Sequence, residues 1–243
     1  MKEKLVRILY PRVCPVCGEI LSLSPPAANP YICSGCYSKL KATAGALCCV
    51  KCGKVLKEDE EYLCDVCKKR TRYFDEGRSL LLHNDEAKKI LYDLKYSDLR
   101  DNVDFAGKEL ASVFAPWVAA RRISAVIPVP LHAKRRRERG FNQAELVAAR
   151  FIREMKEAGL APPLLDTEYL KRTGETVPLK ELTAAKRTSA VKGAFAVVGK
   201  EEQYESVLLI DDIFTTGATL NECAKVLKEA GTARVYFLTV SSV

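Results

Sequence analysis

The chain of 243 residues has no apolar run long enough to span a bilayer, which excludes an integral helical membrane protein. Its opening stretch, "MKEKLVRILYPRVC", carries too short an apolar segment for a secretory leader. A cytoplasmic location without membrane insertion is therefore expected. Neither G-x-x-x-x-G-K-[ST] nor G-x-G-x-x-G occurs, so nucleoside triphosphate and dinucleotide cradles have no support. Low-complexity tracts are missing as well, and the front of the chain is poor in aromatics for base stacking, with Tyr31, Tyr37 and Tyr62.

Cysteine, by contrast, is concentrated: nine of ten lie between Cys14 and Cys67. They form C-x2-C four times, as Cys14/Cys17, Cys33/Cys36, Cys49/Cys52 and Cys64/Cys67. Two thiolates on a tight turn make half of a tetrahedral four-sulfur site, the closed geometry of structural zinc, and the gaps between pairs are those of a zinc ribbon. Disulfides compete poorly with this reading, because cytosolic thiols stay reduced. Two zinc ions are expected, with sequential pairing of the knuckles preferred over a crossed arrangement that spacing leaves open. Cys48 reads as a bystander. So small a module has too little apolar surface to fold alone, and metal binding would supply the missing free energy.

The composition shift near "CKKRTRYFD" divides the chain into a zinc-ribbon module over 1–70 and a larger domain over 71–243. The front part carries 12 Lys/Arg against 7 Asp/Glu, most of the net charge of +8, which suits an anionic partner without identifying one.

In the larger domain, β-branched runs alternate with helical periodicity. Strands are expected at "GRSLLLH", "ISAVIPVP", "SVLLID" and "ARVYFLTVSSV". Helices are expected at "DEAKKILYDLKY", "NVDFAGKELASVFAPWV", "GFNQAELVAARFIREMKEAG" and "ATLNECAKVLKEAG". The alternation predicts an α/β fold, a parallel sheet covered by helices on both faces. Cys223 falls on the apolar face of the last helix and reads as core.

Ligands of open parallel sheets bind beyond the carboxyl ends of the strands. Asp211 and Asp212 follow Val207 to Ile210 at such an end, and a loop over 213–219 leads into a helix N-terminus. Small side chains, hydroxyls and one glycine at Thr215, Thr216, Gly217, Ala218 and Thr219 allow backbone N–H groups to converge, as a phosphate cradle requires. Carboxylates beside it would accept hydrogen bonds from vicinal hydroxyls and favour a divalent ion. A ribose 5-phosphate combines both features. A second cluster, "IPVPLHAKRRRERGFNQAE", sets Lys134, Arg135, Arg136, Arg137 and Arg139 within six positions at what reads as a helix start. Cations are electrostatically unhelpful there, so the run is expected to meet an anion, pyrophosphate or nucleic acid.

The pattern D-D-x-x-T-T-G-A-T after four apolar residues resembles the phosphoribosyl-diphosphate (PRPP) signature of type I phosphoribosyltransferases. By that resemblance, Asp211 and Asp212 hold the ribose hydroxyls and Thr215 to Thr219 the 5-phosphate. The order of zinc-ribbon cysteines, "LKY", "IPVPLH", "RERGFNQ", "VKGAF" and this loop is similar to the ComF family over nearly the whole chain. Those are cytoplasmic phosphoribosyltransferase-like proteins linked to competence, the uptake of DNA. The resemblance implies a type I phosphoribosyltransferase core, and it adds Lys95, His132, Arg139, Asn142 and Gln143 to the site region, where Arg135 and the arginines after it would stabilise charge on pyrophosphate. His132, one of two histidines, reads equally as structural. One departure stands out: "VPLKEL" has Leu179 where the family pattern has glutamine after the proline, in a stretch expected to shape the acceptor side.

An enzyme of this kind displaces pyrophosphate from C1 of PRPP with a nitrogen nucleophile, assisted by magnesium. Two competing readings keep the cradle without catalysis. One is a PRPP or phosphate sensor that also binds single-stranded DNA, and the other a scaffold that docks competence proteins through the zinc module.

Overall fold

The computed structural model describes residues 11–22, 29–96, 100–174, 189–199 and 203–243. Two short helices, α1 (Ser34–Tyr37) and α2 (Asp65–Lys69), belong to the cysteine-rich front. The rest runs β1 (Glu76–Leu82), α3 (Asp85–Tyr96), α4 (Arg100–Ala120), β2 (Ala125–Pro128), α5 (Ala133–Arg139) and α6 (Gln143–Glu157). It continues through β3 (Leu164–Leu165), β4 (Leu170–Arg172), β5 (Phe195–Val197), β6 (Ser206–Phe214), α7 (Ala218–Glu229) and β7 (Arg234–Ser242). Five strands form a sheet in the order β1-β7-β6-β2-β3 with every pairing parallel, and β4 and β5 form a separate antiparallel pair. The α/β expectation holds. The "VPLKEL" stretch lies outside the described residues.

Side chains of successive strand residues point to opposite faces, and here the alternation divides the core in two. Leu208 and Ile210 of β6, with Leu238 and Val240 of β7, face a cluster built by α3, α4 and α6. Val207 and Leu209, with Val235 and Phe237, face a second cluster built by α7 and the aromatic Phe74 and Phe214. Both faces are apolar, so the strands read as continuous hydrophobic runs.

The front third joins both layers. Cys14, Val16, Tyr31, Ile32 and Cys36 pack into the first cluster, and Cys49, Cys52 and Cys64 into the second. Between them the chain crosses the sheet edge: Thr43 N–H donates to Leu80 O at 3.0 Å, and Leu82 N–H to Lys41 O at 2.8 Å, on the free side of β1. The two cysteine groups therefore straddle the sheet, one on each face.

The second group is seated very closely. Gly53, at φ +70°, lies so near β1 that a Cβ there would stand 2.4 Å from Gly77 O. Gly53→Ala meets backbone rather than a flexible side chain and also requires a left-handed conformation. It is expected to destabilise by about 2–5 kcal/mol, read as a lowered urea midpoint with unchanged slope.

Candidate functional site

The eight cysteines of the C-x2-C motifs form two sets, Cys14, Cys17, Cys33, Cys36 and Cys49, Cys52, Cys64, Cys67, with the ligand atoms of each set within 4.8 Å of one another. The pairing is sequential, as expected. All ten cysteines are free thiols, and Cys48 stands outside both sets, with its sulfur directed at Thr43 O at 4.0 Å. Cys52 and Cys64 approach to 3.7 Å across the second set. The thiols of Cys52 and Cys67 donate toward Cys49 and pull its ionisation far below the ordinary thiol range. Four converging sulfurs fit tetrahedral structural zinc. The first set leaves Cys17 exposed, whereas the second buries Cys49, Cys52 and Cys64.

β6 extends through Phe214, beyond the "SVLLID" that the sequence suggests, because β7 continues beside it with Ile213 opposite Ser241 and Phe214 opposite Ser242. Asp211 and Asp212 thus lie inside the carboxyl end of a strand, and strand alternation sends them to opposite faces. Asp212, buried, takes Lys95 Nζ at 2.6 Å on the α3 side. The span of α3 explains this reach. It starts just beyond β1, runs about 18 Å at 1.5 Å per residue, and ends over β6, two strands away. Asp211 faces the α7 side, where its charge is felt by Cys223 and Arg172. Burial, followed by the neighbouring Asp212 charge, pushes the Asp211 carboxyl well above its ordinary range.

With both members of the Lys95–Asp212 pair largely buried, removing one leaves the other uncompensated. Lys95→Ala is expected to cost about 3–5 kcal/mol in denaturant unfolding. Lys95→Ala combined with Asp212→Asn is expected to recover part of that loss.

Asp211, Ile213 and the residues from Thr215 to Leu220 line one small hollow. Gly217 caps α7 at φ +72°, and Thr216 Oγ1 accepts from Ala218 N–H at 3.4 Å. The hollow therefore sits where the first free N–H groups and the positive end of a 12-residue helix point.

The basic run behaves differently from its reading as a helix start. Gly140, at φ 78°, ends α5, so Arg136, Arg137 and Arg139 occupy a last turn, where the helix dipole favours cations. The electrostatic reason for expecting an anion there is overturned. Lys134, Arg136 and Arg137 are exposed, while Arg135 and Arg139 are partly buried. Arg136 pairs with Glu145 at 2.7 Å, and Arg139 donates to Gln143 Oε1 at 3.1 Å and stacks over Tyr96. His132 caps α5 by accepting from Lys134 N–H at 3.3 Å. Asn142 caps α6 through Ala144 N–H and ties back to Val129 O, both at 3.1 Å. Each of these side chains is thus engaged locally, the arginines with Glu145 and Gln143 and the two caps with helix N–H groups.

Two residues near the carboxylates were not singled out in the sequence. Arg172, at the end of β4, lies over the Phe195 ring at 5.3 Å; burial, and then Arg135, lower its proton affinity. Its charge and that of Asp211 act on each other, so Arg135, Arg172 and Asp211 share one region. His83 follows β1 directly, with Nδ1 3.3 Å from Ser241 Oγ. Burial first, then the charges of Lys88 and Lys95, depress its protonation. The carboxyl-edge rule, applied to the first strand as well as to β6, points to His83; Arg172 carries no comparable sequence signal.

Magnesium takes oxygen ligands. Among the described residues, the clusters capable of holding a metal by themselves are the two thiol sets. Asp212 is engaged by Lys95, which leaves Asp211 as the carboxylate lining the hollow, so a divalent ion there would need further oxygens from its substrate. Among the described residues, no helix is long and apolar enough to cross a membrane.

Residues 5–68 match the model of the double zinc ribbon domain. Over 220 residues the chain is 30% identical to competence protein F of Haemophilus influenzae, covering 86% of this chain and 89% of that one. Competence protein ComFC of Bacillus subtilis is 29% identical over 208 residues, covering 83% and 80%. The DNA utilization protein YhgH of Escherichia coli (strain K12) is 32% identical over 110 residues, 45% of each chain. Among solved structures, a hypoxanthine-guanine phosphoribosyltransferase of Schistosoma mansoni in complex with IMP covers 79% of this chain and 81% of that one, at 13% identity and a TM-score of 0.30. A likeness of that size carries no argument about the site. The full-length similarity to the competence proteins, together with the double zinc ribbon, is decisive for ancestry: the chain belongs to the ComF family of competence proteins.

Proposed function

We propose that this chain binds PRPP with magnesium at the carboxyl edge of its sheet and transfers the phosphoribosyl group to a nitrogen nucleophile, releasing pyrophosphate, in the course of DNA uptake. The observation that carries the reading is the convergence at β6. A helix N-terminus with a glycine cap and an adjacent carboxylate meet around one hollow, and the charges of Arg172, Arg135 and Asp211 act on one another beside it.

In this reading the N–H groups of 215–219 take the 5-phosphate, and Asp211 accepts from the ribose hydroxyls. Asp212 orients the edge through Lys95. Arg135 and Arg139 stabilise charge that develops on the departing pyrophosphate. Magnesium, when bound with the substrate, supplies charge neutralisation on the leaving group. No protein nucleophile is required, because the C1–O bond breaks as the acceptor nitrogen bonds to C1 and the electron pair leaves with pyrophosphate. Residues 1–70 and 71–243 are taken as metal scaffold and catalytic unit.

A second reading has its own support. Lys134, Arg136 and Arg137 project into solvent, as a surface for single-stranded DNA would. The cradle would then serve as a phosphate sensor, and the zinc module could dock other competence proteins. Calorimetric titration of PRPP with magnesium, followed by a pyrophosphate-release assay against nucleobases and amines, separates the two. Release dependent on an acceptor supports transfer; binding without release, joined to salt-dependent DNA binding, supports the sensor.

A further inference from the structure

Arg72 lies five residues past the last cysteine of the zinc ribbons, where the composition shift sets the boundary between the two parts of the chain. The structure gives it three contacts. Its side chain lies beside Cys67, the half-buried thiol of the second set, and favours the ionised form of that sulfur. Its Nη1 stands 3.3 Å from the point a Cβ on Gly217 would occupy, against the glycine that opens α7. The guanidinium also lies over the Phe74 ring at 5.5 Å, and Phe74 meets Phe214, whose ring flanks Gly217. The next residue fastens the backbone to the same helix, as Tyr73 N–H donates to Asn221 Oδ1 at 2.8 Å. Arg72 Nε is buried and makes no hydrogen bond among the described residues.

Outside the loop, a cavity of about 440 Å³ opens between Arg70, Arg72, Ala218, Asn221 and Glu222. Glu222 is turned aside there by accepting Gly193 N–H at 2.7 Å. Arg72 thus stands between a thiol cluster and a helix N-terminus. We infer that Arg72 is the cation of the phosphate loop, held in place by the second cysteine set through Cys67, so that metal and phosphate share one guanidinium.

Charge accounting gives the physical reason. Four thiolates around a divalent zinc carry a net charge of about −2, and a phosphate monoester near neutral pH carries nearly the same. Two such anions on either side of one short loop repel through a poorly screened interior unless a cation separates them. Arginine suits the position, because its planar fork can donate to sulfur on one edge and to phosphate oxygen on another, which a lysine ammonium does less well. The first cysteine set packs on the opposite face of the sheet, with α3 and α4, away from this loop.

This inference rests on the reading of 215–219 as a phosphate cradle, and its test distinguishes the two. PRPP and ribose 5-phosphate are titrated into wild type, Arg72→Gln and Arg72→Lys, with zinc content measured on each. Arg72→Gln is expected to weaken both ligands by about ten- to a hundredfold, because they share the 5-phosphate, while zinc stays at two per chain. Arg72→Lys is expected to recover part of the loss. Linkage supplies a readout that a merely structural arginine would not move. In wild type, saturating ribose 5-phosphate should slow zinc loss to a chelator from one of the two sites, and in Arg72→Gln from neither.

Equal affinity in wild type and Arg72→Gln overturns the inference and leaves the cradle standing. If wild type binds neither ligand, cradle and inference fall together. If Arg72→Gln has lost zinc, Arg72→Lys decides: with two zinc ions bound, weaker binding supports the role and unchanged binding overturns it.

Discussion

A chain carrying Asp211→Asn together with Asp212→Asn is expected to give no measurable heat when titrated with PRPP and magnesium, while its zinc content stays at two per chain. In the proposed pose Asp211 accepts from two ribose hydroxyls, each such hydrogen bond being worth about 1.5–3 kcal/mol, so losing the two costs roughly a hundredfold or more in affinity. The single variants should differ, because the two side chains face opposite sides of β6. Asp211→Asn removes the acceptor that lines the hollow and should account for most of the lost binding. Asp212→Asn releases Lys95 and should act more on stability. If the double variant binds PRPP as wild type does, the site assignment fails.

A pH series adds a second signature. Since Asp211 is protonated more readily in the folded protein than its ordinary value of 3.8, the native state keeps a proton that the unfolded chain has released. Its contribution to stability is therefore fully present below that value and is lost as the pH rises through the raised one. PRPP affinity should run the other way over the same window, rising as the carboxyl ionises. Asp211→Asn should flatten both profiles, as measured by denaturant midpoint and by calorimetry.

The second large effect separates the two metal sites. Cys52→Ser is expected to leave a chain without a cooperative unfolding transition, whereas Cys14→Ser should lose one zinc and keep PRPP affinity within about tenfold. Binding of structural zinc contributes about 10–16 kcal/mol in isolated zinc fingers, comparable to the whole stability of an ordinary domain. The weight falls on the second site because Cys49, Cys52 and Cys64 are buried in the same cluster as Phe74, Phe214 and Phe237, directly under β6 and α7. The first site packs against α3 and α4, and one of its ligands, Cys17, is exposed. Metal analysis with thermal unfolding checks both halves. A Cys52→Ser chain that melts as wild type does would remove the distinction.

Much of this was legible in the sequence, because it depends on local spacing. The C-x2-C repeats set the thiol pairs, strand and helix periods alternate cleanly, and the Asp–Asp–threonine loop stands at the strand end where parallel sheets bind ligands. What escaped depends on distant partners. The division of Asp211 from Asp212 follows from β7 extending β6 beyond the point where its apolar residues stop. The helix over Ala133–Arg139 was read as the start of a longer one, and only the left-handed Gly140 shows that the arginines sit at a C-terminus. Arg72 carries no sequence signal because its neighbours are Cys67 and Gly217, one nearby in sequence and the other far away. The place of the ribbons on opposite faces depends on a short crossing that has no motif at all.

That crossing has a consequence of its own. β1 borders the sheet, with β7 as its partner on one side, and the segment Lys41–Thr43 occupies the backbone groups of Leu80 and Leu82 on the other. The segment has no regular structure to hold it and is anchored at each end by a cysteine set. When the anchors lose their metal, an apolar strand margin becomes available to any extended chain, including another copy of this protein. Removal of zinc is then expected to show first as concentration-dependent self-association, with the exposed margin of β1 as the seam.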